Sequence, residues 1–409
     1  LKSLFNAYRE VFTGLPRNVW IIAITMFINR SGGMVLLFSS LYFTRNLHYT
    51  LTEAGVIMSF FGAGSILGSY MGGWLTDRRN FFDIMLFSLV SSSLVLCCIF
   101  FTTSMIGLSA IMFFYALCSD AFRPANASAI ANYSKPESRT RSVSLMRLAF
   151  NLGFTVGPAA GGFVAMYLGY HWLFVIDITT TLFAAFLLYH FLPRQELAKQ
   201  KEVEKKTFIT KSAYSDHHYL FFIFMVAMYG LAFFQMFTSM PQYFKTDCHY
   251  NEDRIGLLLA LNGLLVVLIE MPLIFYLEKQ KKNFTYIVIG CMCLPIAFLI
   301  ISLSNGNLIG ALFYTFVLTL SEILAMPFMM NYAMTRPAKE RQGQYTALYS
   351  IAFGFSNILA PILGLAVAQR FGFIHAFYFF IGISCYVLFG FYLLGRKEIL
   401  STSPDKKEV

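Results

Sequence analysis

The residues of this sequence with chemistry to offer are charges stranded in long apolar runs. Arg30, Asp120, Arg123, Arg147, Asp177, Glu270 and Glu322 all fall inside stretches otherwise dominated by Leu, Ile, Val, Phe, Ala and Gly. An ionised group at the centre of a hydrocarbon layer costs roughly 2.5–3.5 kcal/mol on insertion scales, so such groups persist where they face protein or a water-filled cavity. A carboxyl group in that setting is a candidate proton carrier, because burial disfavours its anion. A guanidinium offers a planar fork of donors that matches a carboxylate. The pattern therefore points to ion binding and proton transfer.

Glu322 lies near mid-depth of its apolar run, in TLSEILAMP, and is the first candidate for proton coupling. Glu270, in NGLLVVLIEMPL, lies nearer the end of its run; it is a second coupling candidate and equally a gate or a structural partner. Asp177 reads as a hydrogen bond between packed helices. Asp120 and Arg123 are three residues apart, hence on one helical face, and form a charge pair. Arg147 and Asn151, four apart, also share a face. Arg30 follows Asn29 and has no local acid. The candidate substrate-binding set is Arg30, Asn29, Arg123, Arg147, Asn151, Gln235, Asn262 and Asn357. Each has a structural alternative: the arginines as partners of Asp120 or of helix-end carbonyls, the amides as links between helices. Tyr42, Tyr115, Phe234, Tyr314 and Tyr349 are aromatic candidates for the same cavity. The three arginines inside apolar runs lie in the first half of the chain, Glu270 and Glu322 in the second. This asymmetry suggests a first half that receives an anionic group and a second that handles protons.

The elements that must position these groups are membrane-spanning helices. Of 409 residues, 57% are hydrophobic and only 13% charged, about half the charge of a soluble protein, and the mean hydropathy is +0.62. Crossing a bilayer takes about 20 apolar residues. That measure predicts twelve spans, at 18–44, 52–76, 82–103, 105–131, 142–167, 171–192, 217–243, 252–277, 283–303, 308–334, 343–368 and 373–395. Before them, 1–17 reads as an amphipathic in-plane segment. The polar stretch 193–216 reads as a linker between bundles 18–192 and 217–395, and 396–409 as a tail. Lys and Arg cluster in alternate connections, 24 of the 31 falling at the two ends, in the linker and in the loops after spans 2, 4, 8 and 10. The other loops hold only Arg45, Lys245, Arg254 and Arg370. The positive-inside rule then places both termini in the cytoplasm. With the charge so distributed, the net +10 carries no implication of nucleic acid. The cysteines mostly lie in apolar runs and read as small buried hydrophobes without metal-ligand spacing.

The halves repeat. Pro124 and Pro327 are 203 residues apart, as are Pro158 and Pro361, while Asp77 and Glu278 differ by 201. Duplicated six-helix bundles place a substrate site between the halves near mid-membrane, with transport by rocking one half against the other.

Over essentially its whole length the sequence resembles the major facilitator superfamily. The second span ends in GGWLTDRRN, which looks like the superfamily's loop motif, with Gly73, Leu75, Asp77 and Arg78 in register; Asn80, Phe81 and Phe82 stand where a Gly and a basic pair are expected. The resemblance implies a conformational latch of Gly73, Asp77 and Arg78. The fifth span, GFTVGPAAGG, is similar to the antiporter motif of the drug:proton branch through Gly153, Gly157, Pro158, Gly161 and Gly162; such small residues also serve simply to pack helices. TLSEILAMP, with Glu322 and Pro327, resembles an acidic motif of some multidrug:proton exporters and of proton-coupled peptide transporters. The glutamate-rich first-span signature of the peptide transporters is absent; INRSGG stands there.

The resemblance implies an all-α integral membrane protein, two pseudo-symmetric six-helix bundles of the major facilitator fold. It further implies a proton-coupled antiporter, a monomer in the cell membrane, exporting amphipathic organic molecules such as drugs or a carboxylate-bearing siderophore. The alternative is a proton symporter importing an anionic nutrient, amino acid or peptide-like compound, and a non-transporting receptor is a remote third. The expected partners are a small-molecule substrate, protons and lipid, with the proton gradient as energy source and no bound cofactor or metal. The sequence has no nucleotide-binding loop, HExxH motif or serine elbow, and an enzyme is not expected.

Overall fold

A bilayer supplies no water to backbone N–H and C=O groups, so a chain this apolar must satisfy them internally, as helix. The computed structural model describes residues 14–76, 78–134, 139–194, 213–278, 283–336 and 342–402, and their regular structure is entirely helical. Twelve helical spans are long and apolar enough to cross a membrane: Arg17–Arg45, Leu51–Thr76, Phe81–Phe101, Met105–Tyr133, Arg141–Tyr167, His171–Phe191, His217–Thr246, Glu252–Ile274, Asn283–Leu303, Leu308–Thr335, Gln344–Phe371 and Phe373–Arg396. They are numbered 1 to 12 below, and their ends fall within three residues of those expected from hydropathy. The segment 1–13, most of the linker and residues 403–409 lie outside the described residues.

Three spans are interrupted. Span 1 runs as Arg17–Gly32 and Val35–Arg45 with Gly33 and Met34 between. Span 4 hinges at Ala121, between Met105–Asp120 and Phe122–Tyr133. Pro124 explains the hinge: it lacks the N–H that would bond the Asp120 carbonyl, and its ring crowds that carbonyl. Span 7 passes from His217–Phe233 through a tight turn at Phe234–Phe237 into Ser239–Thr246, and Pro241 stands four residues after Phe237 for the same reason.

The repeat extends to details that hydropathy does not carry. Ser104 and Asn307, 203 residues apart, both cap the start of their spans, accepting from the N–H of Gly107 and Gly310. Gly169 and Gly372, also 203 apart, both turn the chain with φ near +90° (93° and 86°), a conformation in which glycine alone carries no Cβ penalty.

The contacts divide the chain into two compact units. The first comprises Leu1–Tyr49, Val56–Val203 and Asn251–Val267, with a core that includes Val19, Ile22, Met85, Phe122 and Leu188. Within it the start of span 8 lies on span 5 at backbone distance: a Cβ on Gly256 would fall 2.2 Å from the Pro158 carbonyl oxygen, and one on Gly162 would fall 2.4 Å from that of Glu252. The second unit comprises Thr50–Gly55, Glu204–Tyr250 and Leu268–Val409, with Tyr219, Phe222, Phe298, Phe328 and Phe377 among its fully buried side chains. Here the start of span 2 lies on span 11, a Cβ on Gly55 falling 2.6 Å from the Pro361 carbonyl oxygen.

Candidate functional site

In the first unit the interruption of span 1 is the organising feature. The helix that restarts at Val35 has no preceding turn to bond its first N–H groups. Asp177 of span 6 is buried, with the Val35 N–H among the groups that act on its carboxylate. Tyr115 of span 4 donates its hydroxyl to Asp177 Oδ2 at 3.1 Å. Thr181, one turn further along span 6, donates to Oδ1 at 3.3 Å and accepts from the Asn29 amide at 3.2 Å. Asp177 and Thr181 thus tie spans 1, 4 and 6 together.

Arg30, in the last turn before the interruption, is held differently. Its Nε is shut off from solvent and has no hydrogen-bond partner. The guanidinium lies 5.0 Å from the Phe150 ring centroid, a cation–π contact. Asp120, Asp177, Tyr115 and Arg123 are all within electrostatic reach, yet among the described residues no carboxylate forms an ion pair with Arg30. The two acids have other donors. Asp177 takes those just described. Asp120 is buried and takes Arg123 Nε at 3.0 Å on Oδ1 and the Ser65 hydroxyl on Oδ2. Arg123 itself keeps about half its side chain exposed, at 55%. Gly153 of span 5 sets the position of Arg30, since a Cβ there would fall 2.6 Å from the Arg30 Cβ. The remaining candidates of this unit lie apart in character: Arg147 is exposed, Asn151 half-buried and Asn262 buried.

The second unit holds the acids. Glu322 is half-buried in span 10, next to Ser321, whose hydroxyl pairs with that of Tyr229 at 3.0 Å. Glu270 is buried in span 8. Gln235 marks the interruption of span 7, and its amide is fully engaged there. Nε2 donates to the carbonyls of Leu231 and Ala360 at 2.9 and 3.1 Å, and Oε1 accepts from the hydroxyls of Ser239 and Thr238 at 2.6 and 3.3 Å. Asn357 is exposed and donates to the Phe353 carbonyl one turn back. Tyr314 is buried with its hydroxyl unpartnered, and Tyr349 donates to the Met326 carbonyl.

The family model described as Major Facilitator Superfamily matches residues 19–360. This chain belongs to the major facilitator superfamily. It is a multi-pass membrane transporter of small molecules rather than an enzyme. Among curated relatives, the cis,cis-muconate transport protein of Acinetobacter baylyi is 23% identical over 62% of this chain and 64% of its own. The quinolone resistance protein NorA of Staphylococcus aureus is 20% identical over 86% of this chain and 90% of its own. A crystal structure of a POT family transporter in complex with 5-aminolevulinic acid superposes with a TM-score of 0.80 at 14% identity, over 94% of this chain and 97% of that one, a likeness of fold.

The superfamily-like motifs take the following places. In span 5, Gly153, Gly157 and Gly161 face span 1, where added Cβ atoms would meet Arg30, Ser31, Met34 and Phe38, while Gly162 faces the start of span 8. Every glycine of the motif thus sits at a close helix approach. In the loop motif Asp77 lies outside the described residues; Arg78 is exposed and stacks 3.9 Å above the Trp74 ring, and Gly73 has room for a Cβ, meeting only Pro124 at 4.0 Å. A run the sequence reading passed over stands beside it. Gly64, Gly68 and Gly72 bring span 2 against the backbone of span 4 at Phe113, Leu117 and Ala121, and their four-residue spacing was the available signal. Ser65, Thr181 and Phe150 were likewise not singled out, because a lone hydroxyl or phenyl in an apolar run has no distinguishing pattern.

Proposed function

We propose that this transporter is a proton-coupled antiporter exporting amphipathic organic molecules that carry an acidic group, set in the cell membrane with both termini in the cytoplasm. The observation that supports this most is the Arg30 guanidinium, packed on Phe150 and without an acid of its own. A buried donor left unmatched costs about 1–3 kcal/mol, and more when charged, so a ligand carboxylate has a ready partner there. The neighbouring Phe150 face suits an apolar or aromatic body attached to that carboxylate. The interrupted span alongside is the feature from which transporter sites are commonly built. Glu322, with Glu270, is assigned the proton, and the proton gradient is the energy source without a bound cofactor. Export is favoured by the span 5 glycines, which resemble those of drug:proton antiporters, and by a relative named for quinolone resistance. The second reading, proton symport of an organic anion into the cell, draws on Arg30 equally and on the relative named for muconate.

Everted membrane vesicles containing the full chain separate the two. With a quinolone and cis,cis-muconate as probes, an acid vesicle interior drives accumulation if the transporter is an exporting antiporter, and drives efflux of preloaded probe if it is a symporter. Glu322→Gln should abolish the pH-driven flux, a loss of at least ~100-fold for a proton carrier, while counterflow exchange of the probe persists. Undiminished pH-driven flux in that variant would remove Glu322 from the mechanism.

A further inference from the structure

Away from the polar cluster, span 9 and the end of span 12 run side by side in the second unit. At the start of span 9 they are close, a Cβ on Gly395 falling 3.1 Å from that of Phe284. Along this seam opens a groove of about 410 Å³ lined by Phe284, Thr285, Val288, Ile289, Tyr392 and Arg396. Its length is apolar; Thr285, Tyr392 and Arg396 are exposed along it. Arg396 ends span 12 while Thr285 stands near the start of span 9, so both lie at one membrane face.

We propose that this groove holds one anionic phospholipid of the cytoplasmic leaflet, with an acyl chain along Val288 and Ile289 and the phosphate on Arg396 and the Thr285 hydroxyl. Charge complementarity selects this occupant. Lys279, Lys281 and Lys282 immediately precede span 9 and Lys397 follows Arg396, against only Glu278 and Glu398 on the acidic side. Basic pockets between transmembrane helices at the cytoplasmic face are suited to anionic headgroups, and each cation near an anionic membrane surface contributes about 1 kcal/mol. The choice of leaflet rests on the cytoplasmic placement of the tail proposed above; binding itself does not depend on it, nor on the direction of transport.

Native mass spectrometry of the purified full chain with equimolar dioleoylphosphatidylglycerol and dioleoylphosphatidylcholine tests this. The wild type should retain one lipid and favour the anionic one about five-fold, the ratio that one surface cation supplies. Arg396→Gln should at least halve the ratio with lipid still retained, the neighbouring lysines keeping the remainder, and Arg396→Lys should restore the preference. Val288→Trp, which fills the groove, should lose both lipids while remaining monodisperse and helical by circular dichroism. Equal retention of the two lipids by the wild type, or an unchanged preference in Arg396→Gln, would overturn the headgroup assignment. Retention unaffected by Val288→Trp would move the lipid elsewhere, and a lipid-free dimer lost in Val288→Trp would assign the groove to a second copy of the chain.

Discussion

Spans 1 and 7 are interrupted at matching places in the repeat and are held in opposite ways. At the first interruption a carboxylate, Asp177, gathers the hydroxyls of Tyr115 and Thr181, and a turn away Arg30 keeps a cation that no described acid pairs with. At the second, the neutral amide of Gln235 donates to two carbonyls and accepts from two hydroxyls. A saturated buried network rigidifies and specifies packing, whereas an unpaired buried polar group is costly. The two halves of a duplicated chain have thus diverged, one break closed by internal hydrogen bonds and the other flanked by a guanidinium without an ion pair among the described residues.

That contrast can be broken by exchanging what each residue controls. The largest effect is expected at Arg30. Arg30→Ala should weaken binding of a carboxylate-bearing ligand by about 100-fold, near 3 kcal/mol, within the range for removing one side of a buried charged pair. Its neutral ester should lose little, and the melting temperature should hold, because no internal ion pair is broken. Equal losses for acid and ester, with a fall in melting temperature, would make Arg30 a packing residue like Gln235. Gln235→Leu should show the reverse profile: about 2–3 kcal/mol less stable, since buried carbonyls and hydroxyls lose their partner, with acid and ester affected alike. Thermal unfolding in detergent, alongside ligand titration, reads both.

How much of this was legible beforehand follows the physics of each signal. The twelve spans were, because every span must be apolar along its length and the loops sort by charge. The Asp120–Arg123 pair was, because helical spacing puts both on one face. The role of Asp177 as a hub was legible only as a generic hydrogen bond, since Tyr115 lies 62 residues away; nothing local encodes their meeting. The interruption of span 1 had a cue in Ser31-Gly32-Gly33, and that of span 7 one in Pro241, but Pro327 sits inside an unbroken span 10, so a proline alone does not decide where a span breaks. Gln235 and Asn357 looked alike in sequence. One is buried and saturated, the other exposed, because neighbours contributed by other spans set the difference.

A smaller effect is expected at Asp177. Asp177→Asn leaves one acceptor oxygen and turns an NH2 toward a donor, so one of the Tyr115 and Thr181 links is lost, at about 1–2 kcal/mol. If the hub positions Arg30, acid binding should fall with it; a stability loss with unaltered acid binding would separate the two residues and narrow the site to Arg30 and its aromatic neighbour.

The smallest effect lies at the opposite end of span 7, where Asp216 offers a control outside the membrane. It caps the span through the Tyr219 N–H at 3.1 Å and takes two bonds from Arg336, at 2.7 and 3.1 Å, and one from Tyr345 at 3.1 Å. Burial alone would raise this carboxyl; the Arg336 bonds, with those from Tyr219 and Tyr345, outweigh it and hold it at about 2. Its folded value therefore lies below the usual carboxylate value of about 3.9. The stability it contributes is fully present above that value and is lost as pH falls from about 4 toward 2. Asp216→Asn keeps a capping oxygen and loses the ion pair, so at neutral pH it should cost about 0.5–1 kcal/mol. The gap from wild type should stay constant from pH 8 to 5 and close only below 4. A gap that changes between pH 7 and 5 would mean that another group, and not this carboxylate, carries the titration.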